Sequence, residues 1–117
     1  DELATSNPTT LNNTGNKAIT DGNIKLNASN LQGESIATEF LLAGNFTVNT
    51  ANACSAGTVP NNGTATSISG ATLAVGNFSD GGTGQEELYF CLEEITTGIS
   101  QQSYSTQGSF AWVMSVV

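Results

Sequence analysis

Short runs that alternate apolar and polar residues, broken by Gly and Asn, follow one another along the chain. Residues 23–30 read Asn-Ile-Lys-Leu-Asn-Ala-Ser-Asn, which sets Ile24, Leu26 and Ala28 on one face and Lys25 and Asn27 on the other. That is the period of a half-buried strand. Turn formers precede it, first Asn12-Asn13-Thr14-Gly15-Asn16 and then Thr20-Asp21-Gly22. The run 36–49 offers Phe40, Leu42, Phe46 and Val48 to a core and is interrupted by Gly44. It predicts two short strands, or one strand bent at a bulge. Pro60-Asn61-Asn62-Gly63 reads as a turn. Residues 66–78 carry Ile68, Leu73, Val75 and Phe78 around Gly70 and Gly76, and the Gly-rich stretch 79–84 reads as an exposed loop. The last run, 109–117, alternates Phe110, Trp112, Met114 and Val116 against Ala111, Val113 and Ser115.

Residues 86–95 fit two periods. Leu88, Phe90 and Leu92 make a strand face, whereas Leu88, Leu92 and Ile95 make a helical stripe with Thr83 and Glu86 spaced as a capping box. The Tyr-Phe-Cys centre favours the strand. Six to eight short strands at this spacing predict an all-β fold, a single β-sandwich of jelly-roll or Ig-like type. There is no repeat, linker or heptad, and 117 residues is one domain's worth.

Composition narrows the function classes. Thr, Ser, Asn and Gln number 16, 12, 13 and 5, while Lys17 and Lys25 are the only basic residues against ten acids, for a net charge of −8. Two lysines in that field cannot neutralise a run of phosphates, so nucleic acid is not an expected partner. Without His, the Ser–His and Cys–His nucleophile pairs and the common zinc sets cannot be built. No apolar run reaches ten residues, so no membrane span is expected. Six of the ten acids fall in three adjacent pairs, Asp1-Glu2, Glu86-Glu87 and Glu93-Glu94. Neighbours on a strand face opposite ways, so these read as solvated charges and not as a glycosidase dyad. Asp21-Gly22-Asn23, and Asp80 with Glu86, offer oxygens for calcium at no EF-hand spacing. No enzyme activity, cofactor or metal is expected.

Cys54 and Cys91 are the only cysteines, 37 positions apart. An even count with no metal-type spacing reads as one disulfide formed in an oxidising compartment, which stabilises by about 4 kcal/mol in the loop-entropy account. The chain is expected to be extracellular or at a cell surface, in its form after signal-peptide removal. Sequons at Asn12, Asn27, Asn45, Asn62 and Asn77 are glycan candidates, with Asn12 and Asn62 in the most accessible turns. Trp112, Tyr89 and Tyr104 could make a sugar-binding platform, though a Trp in an alternating terminal strand more often packs in a core. A Lys–Asn isopeptide crosslink has only Lys17 and Lys25 to draw on.

The segment Leu11-Asn12-Asn13-Thr14-Gly15-Asn16-Lys17-Ala18-Ile19, followed by Ile24-Lys25-Leu26-Asn27-Ala28, resembles the asparagine-glycine turn and strand of secreted TasA/camelysin-like domains. Gln102-Ser103-Tyr104-Ser105-Thr106, leading into the 110–117 strand, is similar to their closing hairpin. About half the chain is covered, by short motifs. The apolar opening strand usual in that family is reduced here to Leu3 and Ala4 before Pro8. The resemblance implies a subunit of a biofilm-matrix fibre or archaeal bundling pilus, polymerising head to tail as a terminal strand of one copy enters the next. On that reading residues 1–10 are an extension and candidate donor strand, with Leu3, Ala4 and Thr5 lying against a second copy, and residues 11–117 are the sandwich domain. The partner is then the chain itself, with attached glycans. The alternative is a monomeric carbohydrate-binding or adhesion module.

Overall fold

A computed structural model describes residues 3–4, 8–76, 84–95, 97–108 and 110–117 of the chain. Ten strands appear among them: β1 (Leu3–Ala4), β2 (Thr9–Asn12), β3 (Ile24–Asn27), β4 (Leu31–Gly33), β5 (Phe40–Leu41), β6 (Phe46–Asn49), β7 (Thr66–Ser67), β8 (Gln85–Leu92), β9 (Tyr104–Ser105) and β10 (Val113–Val116). The fold is all-β, as the alternation predicts. The strands are shorter and more numerous than the six to eight expected, and they group into three small antiparallel sheets.

The longest strand, β8, organises the first sheet. Its one edge pairs with β6 in the register Phe46↔Leu92 through Asn49↔Tyr89. Its other edge is shared by β1, Leu3↔Leu92 and Ala4↔Cys91, and β2, Thr9↔Leu88 through Asn12↔Gln85. Residues 85–92 therefore take the strand alternative and not the helical one, the strand ending before Ile95; Thr83 of the capping-box reading lies outside the described residues. The expected boundary between residues 10 and 11 falls inside β2.

The second sheet has the order β10–β3–β7. β3 is the strand its alternation predicts: Ile24 and Leu26 are buried, while Lys25 stands opposite Ser115 and Ser67. Ile24, Leu26, Ala28 and Ile68 pack with Val48 and Leu88 of the first sheet in one core, flanked by Leu11, Phe90, Trp112 and Met114. Each fully buried Leu or Ile contributes about 1.5–3 kcal/mol by leaving water. Trp112 and Met114, read from the terminal strand as core, are partly buried and pack against it.

The third sheet, β5–β4–β9, continues from β3 through the short link 28–30. The break at Gly44 is real: a 3-10 turn, Ala43–Asn45, separates β5 from β6. Ala43 is buried there, whereas Phe40 and Leu42, expected in the core, are 38% and 43% exposed. Val75 is another correction, 51% exposed where a core position was expected, because the run after β7 leaves the ladder at once. Leu73 is buried but through a bridge to Ile19, with reciprocal backbone bonds of 2.8 and 2.9 Å. Phe110 and Val116 also stay exposed. Phe78 and the 79–83 part of the predicted loop lie outside the described residues.

Cys54 and Cys91 form the expected disulfide, their Cα atoms 5.4 Å apart, within the usual span for a bridge. It ties the 50–57 loop to β8 one residue from its Leu92 end, on the face opposite Phe90 and Leu92.

Candidate functional site

The Leu92 end of β8 collects the features that assembly would use. Leu92 is paired on both edges, to Phe46 and to Leu3. β1 holds its edge through two residue pairs only, and three undescribed residues separate it from the described chain. The segment expected to reach a second copy therefore lies, in the single chain, along its own β8; Thr5 falls outside the described residues. Beside Leu92 opens a cavity of about 380 Å³ whose apolar wall is Leu41, Leu92, Ile95 and Ile99. Ile95 is 54% exposed. A ladder edge with an apolar recess next to it can accept an extended strand, its backbone paired and its side chains received.

A second opening, of about 390 Å³, is lined by Leu31, Phe46, Phe90, Thr106 and Trp112. Phe46 meets Trp112 edge to face at 5.1 Å between ring centroids, and Phe90 lies tilted at 6.2 Å. The Trp112 Nε1–H donates to the Ser29 carbonyl at 2.7 Å, and the Ser29 hydroxyl donates to the Phe110 carbonyl at 2.8 Å. The three aromatics weighed as a sugar platform are not brought together. Tyr89 follows the alternation of β8 to the face away from Phe90, its hydroxyl donating to Glu87 at 2.8 Å, which pushes the phenol pKa up. Tyr104 lies in the third sheet.

The third sheet is held by a polar cluster that the sequence reading did not single out. The Glu39 carboxylate accepts from the Ser100 backbone N–H at 2.7 Å, the Ser100 hydroxyl at 2.9 Å and Gln102 Nε2 at 2.7 Å. The Tyr104 hydroxyl shares its hydrogen between the Ser100 carbonyl and Glu39, at 2.8 and 3.2 Å. The Ser100 backbone bond above all, with the side-chain donors, holds Glu39 below the usual carboxylate range against a smaller desolvation. No alternation marks these residues, since Glu39 is 61 to 65 positions from its partners.

Other carboxylates weighed for chemistry brace the backbone. Asp21 accepts from the N–H groups of Gly22 and Gly70, each at 2.9 Å, and Glu86 from that of Thr72 at 3.0 Å. Asp80 lies outside the described residues. Among the described residues no group of three or more Cys, Asp or Glu is placed to hold a metal ion. No helix among them is long and apolar enough to cross a membrane.

The sequons separate by environment. Asn12 and Asn62 are exposed, as are Thr14 and Thr64 two residues on. Asn27 and Asn45 are half-buried, and their hydroxyl partners Ser29 and Thr47 are 2% and 3% exposed. Asn77 lies outside the described residues. No family model matches this chain, and neither a curated protein nor a solved structure is found similar to it.

Proposed function

We propose that the chain is the repeating subunit of an extracellular filament, pilus or surface layer, assembled head to tail by strand exchange. On this reading the two larger sheets are the faces of a β-sandwich, with the third sheet closing one end. The observation that carries it is the placement of β1. Two residue pairs hold it to the Leu92 end of β8, beside an apolar recess. Exchanging that short cis strand for the same strand of a neighbour conserves the ladder bonds, so the swap costs little and gains a covered recess. A contact in which residues 1–7 of one copy enter the β8 edge of the next does not close on itself, so it yields a fibre.

The disulfide, the absence of His and Arg, and the resemblance to TasA/camelysin-like domains support the same reading. A disulfide belongs in an oxidising compartment, which suits secretion to the cell surface. The second reading, a monomeric carbohydrate-binding or adhesion module, is favoured by the open aromatic cavity at Trp112. That cavity offers a sugar one hydroxyl side chain, Thr106, where orientation of a glycan needs several polar groups.

The test is deletion of residues 1–7, followed by electron microscopy and size-exclusion chromatography. The full chain forms filaments, and the truncated chain keeps its disulfide and cooperative unfolding but stays monomeric. Filaments from the truncated chain overturn the N-terminal donor. A full-length protein that stays monomeric favours the module.

A further inference from the structure

We propose that the folded chain carries N-linked glycans at Asn62 and Asn12, and none at Asn27 or Asn45. The inference is independent of filament assembly. It starts from what attachment requires: an accessible amide nitrogen, an accessible hydroxyl two residues on, and room for a bulky solvated group.

Asn62 meets all three. It stands exposed in the 60–63 turn, and its Oδ1 accepts the backbone N–H of Asn30 at 3.0 Å. A backbone N–H can only be answered by the amide oxygen, so the oxygen is turned inward and Nδ2 is the outer atom. Gly63, at φ 73°, turns the chain away and donates its N–H to the Ala28 carbonyl at 2.8 Å. Thr64 is exposed, and its side chain makes no hydrogen bond among the described residues. Asn12 is likewise exposed, at the end of β2. Its Oδ1 accepts from Gln85 Nε2 at 2.9 Å, and Thr14 is exposed.

Asn27 and Asn45 fail the same requirements. Asn27 sits in the middle strand of its sheet, paired to Val113, with its Oδ1 buried and without a partner. The Ser29 hydroxyl of that sequon is spent on Phe110. Asn45 is half-buried in the 3-10 turn; its Oδ1 accepts the Leu42 N–H at 2.9 Å much as that of Asn62 accepts Asn30, so what sets it apart is its hydroxyl partner. The Thr47 hydroxyl is buried between the Cys54 carbonyl and Glu93. Neither sequon joins an exposed amide to an exposed hydroxyl in the folded chain.

The step is a group transfer from a sugar activated on a lipid-linked phosphate, catalysed by a separate glycosyltransferase. The amide nitrogen bonds to the sugar's anomeric carbon and the carbon–oxygen bond to phosphate breaks. The lipid phosphate leaves, the amide loses one proton, and nothing is oxidised. Asn12 pairs with the Gln85 end of β8 and Leu3 with the Leu92 end. Seven residues of strand put them roughly 23 Å apart, so the Asn12 attachment point stands well away from the Leu92 end.

Mass spectrometry of native protein tests it, with trypsin isolating residues 1–17 and chymotrypsin cutting after Phe46 to part Asn45 from Asn62. Glycan mass is expected on the peptides of Asn12 and Asn62. In the native host, Thr14→Ala and Thr64→Ala each remove one glycan mass while keeping the Asn hydrogen bonds and the melting temperature. Glycan on Asn27 or Asn45, or an unmodified Asn12 or Asn62, overturns the proposal.

Discussion

Glu39 and Gln102, 63 positions apart, meet through a 2.7 Å hydrogen bond from Nε2 to the carboxylate. The other end of the same amide, Oε1, accepts the backbone N–H groups of Ser35 and Ile36 at 2.9 and 2.8 Å. One side chain thus joins the β4–β5 loop to the segment before β9. Removing it in Gln102→Ala frees two backbone donors and one carboxylate bond, at a cost of about 1–3 kcal/mol. Native-state hydrogen exchange should show Ser35 and Ile36 losing protection while the amides of β3 keep theirs.

The same cluster gives a pH dependence. The folded-state pKa of Glu39 is lowered, so its ionised form is the one the fold favours. Its contribution is present above the unfolded value of 4.5 and is lost as pH falls through the lower folded value. As pH falls from above 4.5 through the lower folded value, wild-type stability should fall more steeply than that of Glu39→Gln, which has no carboxylate to titrate there. Parallel curves for the two proteins in that window count against the cluster.

Gly33 is hemmed in by this amide. A Cβ at that position would lie 2.6 Å from Gln102 Nε2, 2.7 Å from its Cδ and 2.6 Å from the Ile36 carbonyl oxygen. The carbonyl belongs to the backbone, so the clash cannot be relieved by a rotamer change. Gly33→Ala should destabilise by about 1–3 kcal/mol. In the double variant with Gln102→Ala the penalty should shrink but persist, because the carbonyl contact stays. Denaturant melts of the four proteins in the cycle read this directly.

β3 alternates cleanly and was legible from sequence, as was the Trp112–Met114 part of the last run; β8 fitted a helical period as well and was legible through its Tyr-Phe-Cys centre. Their apolar positions meet partners from another sheet, so local period and tertiary burial agree. Phe40, Leu42 and Val75 alternate as well, yet they stay 38%, 43% and 51% exposed, and alternation names a face without naming what lies across it. Ala43 and Ala71 are fully buried and too small to stand out in a pattern. The Glu39 cluster was illegible because its members are common polar residues joined only by folding. The Cys54–Cys91 pairing was legible for the opposite reason, as two cysteines leave one choice.

That disulfide should account for a large share of stability. Reduction, or Cys54→Ser with Cys91→Ser, is expected to cost about 4 kcal/mol for a 37-residue separation. Cys91 is 1% exposed, so the native bridge should resist mild reductant until the chain opens. Alkylation without reductant should label neither cysteine, before or after unfolding. Melting with and without reductant measures the loss, and equal midpoints would remove the bridge from the account.

Trp112 combines ring packing with a hydrogen bond. Its ring packs on Phe46 and Phe90, and its N–H is held by the Ser29 carbonyl. Trp112→Ala loses the aromatic pairs, leaves that carbonyl short of a donor and opens the core, together about 3–5 kcal/mol. Trp112→Phe keeps one ring and loses the hydrogen bond, so it should cost about 1–2 kcal/mol. As the only tryptophan, Trp112 also reports on itself. Its emission should be blue-shifted in the folded chain and red-shift in the same transition that abolishes the far-ultraviolet β signal. Red-shifted emission from the folded chain would mean the ring stands in water, and the packing described here would have to be redrawn.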